Sequence, residues 1–375
     1  MAELLEFNAY SQRIPLMVIT GFLGSGKTTL INHLLRQTAL QDTAVIVNEF
    51  GEIGVDHLLV QAATEDVVVI DGGCVCCTIR GDLLETLVRL FEQRCTGIIP
   101  IFKRVIIETT GLADPAPVIH TLLRDQQLNR YFYLAGVITT VDALYGLEQL
   151  DQHYETVKQA AMADRLVLTK VALSHSLSLQ QLQQRLQQLN PAAVQLLSDE
   201  KIGVKAEELL NIGFYHSEDK SIDVGQWLQA ESYAENGIVP LDNLYKKTES
   251  TEIRHDRYIR SFCIERTQPL SWKVLNRWFQ QLVALRGRDL LRVKGLVYTE
   301  ETPLPILVQG VQHVFQSPTT LPAWPKQPPV SQIVFITRNI EQHIVDQMLD
   351  ILTHSRTPQE MCQAALILLG CQRTI

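Results

Sequence analysis

The chain has 375 residues, 46% of them hydrophobic and 20% charged, and 41 acidic against 33 basic side chains give a formal net charge of −8. That composition is that of a globular chain long enough for two cores, and its acidic balance argues against a nucleic-acid groove or an anionic membrane surface as the main partner. An acidic start and the lack of an apolar run of about 18 residues predict neither a secretory signal nor a membrane span. A cytoplasmic setting with reduced thiols is therefore expected.

The first predicted strand, Pro15–Thr20, runs into Gly21-Phe22-Leu23-Gly24-Ser25-Gly26-Lys27-Thr28, and a helix is predicted from Thr29 to Arg36. Strand, GxxxxGK[ST] loop and helix together form a phosphate-binding loop. Gly21, Gly24, Ser25, Gly26 and Thr29 belong to the turn and helix start that cradle a polyphosphate with backbone N–H groups and the helix dipole. Lys27 reaches the β/γ-phosphates and the Thr28 hydroxyl ligates Mg²⁺. A nucleoside triphosphate is the expected ligand.

A second strand, Ala44–Asn48, leads to Asn48-Glu49-Phe50-Gly51-Glu52, the natural position for a loop that senses the γ-phosphate. Glu49, Glu52 and Asp56 are hard-ligand candidates for Mg²⁺, or an extra ligand for a softer metal, against the alternative of a solvated acidic loop. A third strand, Val67–Ile70, precedes Gly72-Gly73-Cys74-Val75-Cys76-Cys77, which gathers three of the seven cysteines. Such neighbours form strained disulfides and leave one thiol over. As thiolates, Cys74, Cys76 and Cys77 suit Zn²⁺ or another soft or borderline ion, with an incomplete shell that favours exchange. The competing reading is three small buried side chains. Cys95, Cys263, Cys362 and Cys371 are scattered and read as ordinary core or surface thiols.

Helix Asp82–Arg94 follows, then strand Arg104–Thr109, where Glu108 and Gly111 are the expected acid on the Mg²⁺ side and the backbone N–H for the γ-phosphate. Glu108 stands where Asp is more usual, so contact with magnesium through water is expected. His120, on the helix after Asp114-Pro115, is a further imidazole near that sheet edge, although a lone His is more often structural. Strands Ala135–Val141 and Arg165–Thr169 and an amphipathic glutamine-rich helix over Gln180–Gln188 complete an alternating β/α pattern. Periodicity fades from Ser217 to Glu252. Beyond it come strand Tyr258–Arg266, helix Trp272–Leu285, strands Leu291–Tyr298, Ile306–Phe315 and Ile333–Thr337, and helix Ile340–Leu352 with Asn339 as its N-cap. A terminal helix and tail are expected from Ser355.

Four pieces, GFLGSGKTTL from Gly21, VNEFGEIGVD from Val47, GGCVCCTIRGDL from Gly72 and IETTGLADP from Ile107, resemble the CobW-type family of metal-insertion GTPases. The likeness continues through Val141-Asp142-Ala143, Leu168-Thr169-Lys170 and the RVKGLV stretch from Arg292, across roughly residues 14 to 352. The Cys-x-Cys-Cys cluster between the phosphate loop and the ETTGLADP strand is its specific part. The resemblance implies an α/β P-loop NTPase domain with a mostly parallel sheet and flanking helices, followed by a small α+β C-terminal domain. The corresponding boundaries are 1–216, a linker at 217–252, 253–353, and a tail at 354–375.

It also implies slow GTP hydrolysis coupled to delivery of zinc or cobalt to a client metalloprotein, and leaves homo-oligomerisation open. In the family an Asn/Thr-Lys-x-Asp motif reads guanine. Here Thr169 and Lys170 match, but Ala172 replaces the carboxylate, which should weaken guanine preference. With only His216 and His255 near the linker, the chain lacks the His-rich run of some relatives. The competing classes are a P-loop kinase or ATP-dependent enzyme with structural cysteines, for which no Arg-rich lid follows Gly111, and a zinc-sensing regulatory protein.

Overall fold

The computed structural model describes residues 13–47, 68–71, 79–198, 203–210, 228, 258–325 and 327–354, with backbone alone for 68–71 and 79–82. The described residues divide into two compact units, one containing those up to Gln187 and from Ala193 to Leu210, the other containing Gln188–Ala192, Leu228 and those from Tyr258.

The first unit is built on strands β1 (Ile14–Gly21), β2 (Thr43–Val47), β3 (Val68–Asp71), β4 (Arg104–Glu108), β5 (Phe132–Asp142), β6 (Arg165–Thr169) and β7 (Val194–Leu197). They form one sheet in the order β3-β2-β4-β1-β5-β6-β7, and each pairing is parallel. Parallel strands need crossovers, and the connections carry helices α1 (Lys27–Leu35), α2 (Ile79–Cys95), α3 (Ala116–Arg124), α4 (Leu128–Tyr131), α5 (Gly146–Gln152), α6 (Tyr154–Met162) and α7 (Ser176–Leu189), while α8 (Ala206–Leu210) follows β7. The central strands are apolar on both faces because helices cover both. On one face Leu30, Ile31, Leu34 and Leu35 of α1 pack with Met17, Ile19, Val45, Ile106, Ile138 and Val167.

Helix α1 begins two residues before the predicted start, so Lys27 and Thr28 lie in its first turn. Strand β7 was not predicted: Val194-Gln195-Leu196-Leu197 is too short and too exposed to show an apolar run. In α7, Leu182, Leu186 and Leu189 are buried, as helical spacing requires.

The second unit is an antiparallel sheet in the order β11-β10-β9-β13-β8, with β12 paired to β10. Its strands are β8 (Ile259–Arg266), β9 (Leu290–Val297), β10 (Ile306–Val311), β11 (Val314–Phe315), β12 (Thr319–Thr320) and β13 (Ser331–Arg338). Helices α9 (Trp272–Arg286) and α10 (Gln342–His354) cover one face. Trp278 is fully buried there, edge-on to Phe335 at 5.7 Å, and Phe335 stacks on Phe262 at 5.4 Å. Arg266 ties β8 to α10 through Asp346 and Asp350, both at 2.7 Å.

The predicted strand Ile306–Phe315 is a tight hairpin, β10 turning at Gln312 (φ 52) into β11. Asn339 is not the N-cap of the last helix: it sits in the left-handed region at φ 55, and the helix begins at Gln342. The short polar side chain tolerates that conformation, so the residue marks a turn instead of a cap.

Candidate functional site

The loop between β1 and α1 is shaped by backbone that only glycine adopts easily. Gly21, Gly24 and Gly26 have φ of 143°, 69° and 89°. At Gly21 space is closed as well, since a Cβ there would lie 2.2 Å from Thr140 Oγ1 and 2.7 Å from Ser25 Oγ. Gly26 precedes α1 without a side-chain cap, which leaves the first-turn N–H groups to face the loop. Thr29 is exposed beside them. The Lys27 ammonium is held inside the loop, donating to Gly21 O at 3.1 Å and Phe22 O at 3.3 Å.

Neighbouring strand ends brace this loop from below. Ser25 is buried, and its hydroxyl pairs with Thr140 Oγ1 at 2.6 Å. Thr169 Oγ1 donates to Ser25 O at 2.8 Å, and Thr109 Oγ1 to Thr20 Oγ1 at 2.8 Å. Four strand ends thus meet in one hydroxyl network under the phosphate loop. Its members beyond Ser25 and Thr169 escaped sequence reasoning, although a Thr-Thr pair closing an apolar strand, at the carboxyl edge where parallel sheets bind ligands, was the available signal.

Thr28 Oγ1 donates to Glu108 Oε1 at 3.0 Å, and Glu108 is buried at the end of β4. A hydroxyl and a carboxylate brought together at a helix N-terminus are hard oxygen donors of the kind Mg²⁺ takes. The segment after β4 closes over the loop. A Cβ on Gly111 would fall 2.6 Å from Leu23 N, so the two backbones are in direct contact. Gln159 Nε2 donates to Gly111 O at 3.2 Å and to Ala113 O at 3.1 Å.

Thr169 and Lys170 sit at the end of β6. The Lys170 backbone is left-handed at φ 55, and its ammonium reaches Asp142 Oδ2 at 2.6 Å. Asp142 is buried, and its other oxygen accepts from Leu144 N at 2.8 Å and Tyr145 N at 3.3 Å. Its carboxylate is therefore fully engaged within the protein and does not replace the one missing at Ala172. Ala172 itself is exposed in the short turn Val171–Leu173. His120 is buried in α3.

Cys74, Cys76, Cys77, Glu49, Glu52 and Asp56 lie outside the described residues, as do His216, His255, Cys362 and Cys371. The register of the described strands is nevertheless defined. Asp71 pairs with Val47, Val47 with Glu108, and Glu108 with Ile19, so the last described residues of β3 and β2 lie level with the end of β4 and with Ile19, two residues before the end of β1. Among the described residues no group of three or more His, Cys, Asp or Glu side chains is placed to hold a metal ion. Cys263 is half-buried, and desolvation followed by the nearby Glu265 pushes its thiol up to about 12, so it is no thiolate at neutral pH. No helix among the described residues is long and apolar enough to cross a membrane.

An all-parallel sheet whose central strand ends in this braced loop, with a Thr and a Glu meeting at the helix start, defines a P-loop nucleotide-binding protein carrying a second, antiparallel domain. The chain belongs to the CobW family. Residues 15–196 match the CobW/HypB/UreG nucleotide-binding domain, and residues 259–352 match the cobalamin synthesis protein cobW C-terminal domain. It is 31% identical to the zinc chaperone YjiA of Escherichia coli over 325 residues, covering 86% of this chain and 93% of that one. With the zinc-regulated GTPase metalloprotein activator 1 of Saccharomyces cerevisiae it shares 28% over 384 residues, covering 90% and 83%. The crystal structure of Zn(II)-bound YjiA GTPase from E. coli superposes with a TM-score of 0.60 at 27% identity, covering 92% of this chain and 99% of that one.

Proposed function

We propose that the chain is a GTP-dependent zinc chaperone, which binds zinc as cargo at Cys74, Cys76 and Cys77 and couples GTP hydrolysis to its transfer to a client metalloprotein. The relatives named above, a zinc chaperone and a zinc-regulated GTPase activator, support the class. The observation that carries the coupling is the strand register, in which β3 ends at Asp71 level with Val47, Glu108 and Ile19. Chain leaving β3 toward the cysteines starts two strands from Glu108, on the order of 10 Å at ordinary strand spacing.

Each residue has a physical role in this reading. The α1 N-terminus and Lys27 neutralise the phosphates, and the brace from Thr140 and Thr169 keeps the loop shaped for them. Thr28 and Glu108 would hold Mg²⁺, which supplies charge neutralisation between the outer phosphates when bound. The Gly111 N–H reads the γ-phosphate, and Glu49, which follows β2 in sequence, is the candidate extra metal ligand. Thr169 and Lys170 shape the base side of the site, where the absence of a carboxylate at Ala172 relaxes the choice of guanine. Three thiolates suit Zn²⁺, and cobalt is the alternative cargo for the same donors. Three thiolates serve as ligands only while reduced, which suits a cytosolic setting.

The test is zinc affinity by competition titration in apo, GDP and GTP-analogue forms. A coupling of about 1–3 kcal/mol, roughly 5- to 150-fold, is expected, and tight binding should vanish in the Cys76→Ser, Cys77→Ser double variant. Equal affinities in the three nucleotide states would overturn the coupling.

A further inference from the structure

Gln159 is fully buried on α6, yet it makes contacts that a core residue does not need. Its Nε2 donates to two carbonyls of the segment after β4, Gly111 O at 3.2 Å and Ala113 O at 3.1 Å. Its Oε1 has no hydrogen-bond partner among the described residues, a costly state for a buried amide oxygen. An apolar side chain of the same length would avoid that cost. The amide is explained by what its donor end holds.

Helix α6 is a firm support for such a hold. Thr139 Oγ1 on β5 donates to Gln159 O at 2.8 Å. At the helix end Asp164 Oδ2 accepts from Val137 N at 2.8 Å, and Asp164 N donates to Val137 O at 2.7 Å. The adjacent Lys158 pairs with Asp114 at 2.7 Å, and Asp114 Oδ1 in turn accepts from Ala116 N at 3.0 Å. Consecutive residues of one anchored helix therefore grip the 111–114 segment at both ends. The other side of that segment lies on the phosphate loop, where a Cβ on Gly111 would meet Leu23 N at 2.6 Å.

We infer that Gln159 is a positioning residue that latches the Gly111 segment against the phosphate loop and so sets the preference for triphosphate over diphosphate. The inference rests on the reading of Gly111 as the γ-phosphate sensor. With the latch in place the Gly111 N–H stands ready, and the triphosphate does not have to order it. Without the latch the segment must be ordered on binding, a cost borne by the triphosphate alone because the diphosphate does not reach it.

The experiment measures affinities of the full chain for GDP and a non-hydrolysable GTP analogue. Gln159→Met keeps length and apolar volume but removes the donor, and Gln159→Glu keeps the shape but sets a carboxylate against two carbonyls. Both should lower the analogue-to-GDP affinity ratio at least fivefold, with GDP affinity within about twofold of the unsubstituted chain. Gly111→Ala, which breaks the contact with Leu23, is the reference for a lost sensor. If Gly111→Ala lowers the ratio and neither Gln159 variant does, the latch is overturned and the sensor reading stands. If none of the three moves it, the sensor reading falls as well. Equal losses for both nucleotides would make Gln159 a structural residue and overturn the inference too.

Discussion

Lys27 donates to two carbonyls of its own loop, Gly21 and Phe22, the place where its charge would meet the phosphates. Lys27→Ala should therefore abolish GTP hydrolysis, measured as phosphate release, while zinc affinity of the nucleotide-free protein stays near its original value. Ala172 makes a different case. It is exposed in a short turn, so a carboxylate placed there carries little burial cost. Ala172→Asp should sharpen guanine over adenine preference by about 1–3 kcal/mol, read from competition between the two triphosphates. The phosphate-loop residues were legible in the sequence because their chemistry needs fixed spacing along one stretch of chain. Thr140 and Gln159 were not, and Asp142 stood out only within the Val141-Asp142-Ala143 stretch without its role, because each acts across a distance in sequence, as in the Lys170–Asp142 pair at 2.6 Å. A lone Thr, Asp or Gln carries no mark of the partner that folding brings to it.

Among the elements, strands with strong apolar runs were legible to within a few residues, β6 at Arg165–Thr169 among them. Elements set by turn geometry were not. The β10–β11 hairpin depends on a left-handed Gln312, a conformation that residue type does not announce. Strand β7 exists because β6 offers an open edge, Arg165 pairing with Val194 and Leu168 with Leu197. Helix α9 was read from its spacing, and its centre is Trp278, wedged between Phe335 and Phe279. Trp278→Ala leaves a large cavity under the antiparallel sheet and should cost about 3–5 kcal/mol, seen as a lower denaturant midpoint for the full chain.

For the molecule as a whole, the two units hold separate cores, one under a parallel and one under an antiparallel sheet. The nucleotide machinery described here lies wholly in the first unit, and the order of its strands has a consequence for biosynthesis. β1 leaves the ribosome first, yet it sits mid-sheet between β4 and β5. Its loop is completed only when Thr169, 144 residues downstream, delivers its hydroxyl to Ser25 O. At elongation rates of about 5–20 residues per second, that interval lasts roughly 7 to 30 s. Until β4 and β5 follow, both edges of β1 are unpaired, and even then the cradle lacks its brace from β6. A nucleotide should therefore stabilise the domain fully only once β6 has joined the sheet. Truncated products that stop short of β6 lack that brace and should gain less from nucleotide, a difference that quality control could read.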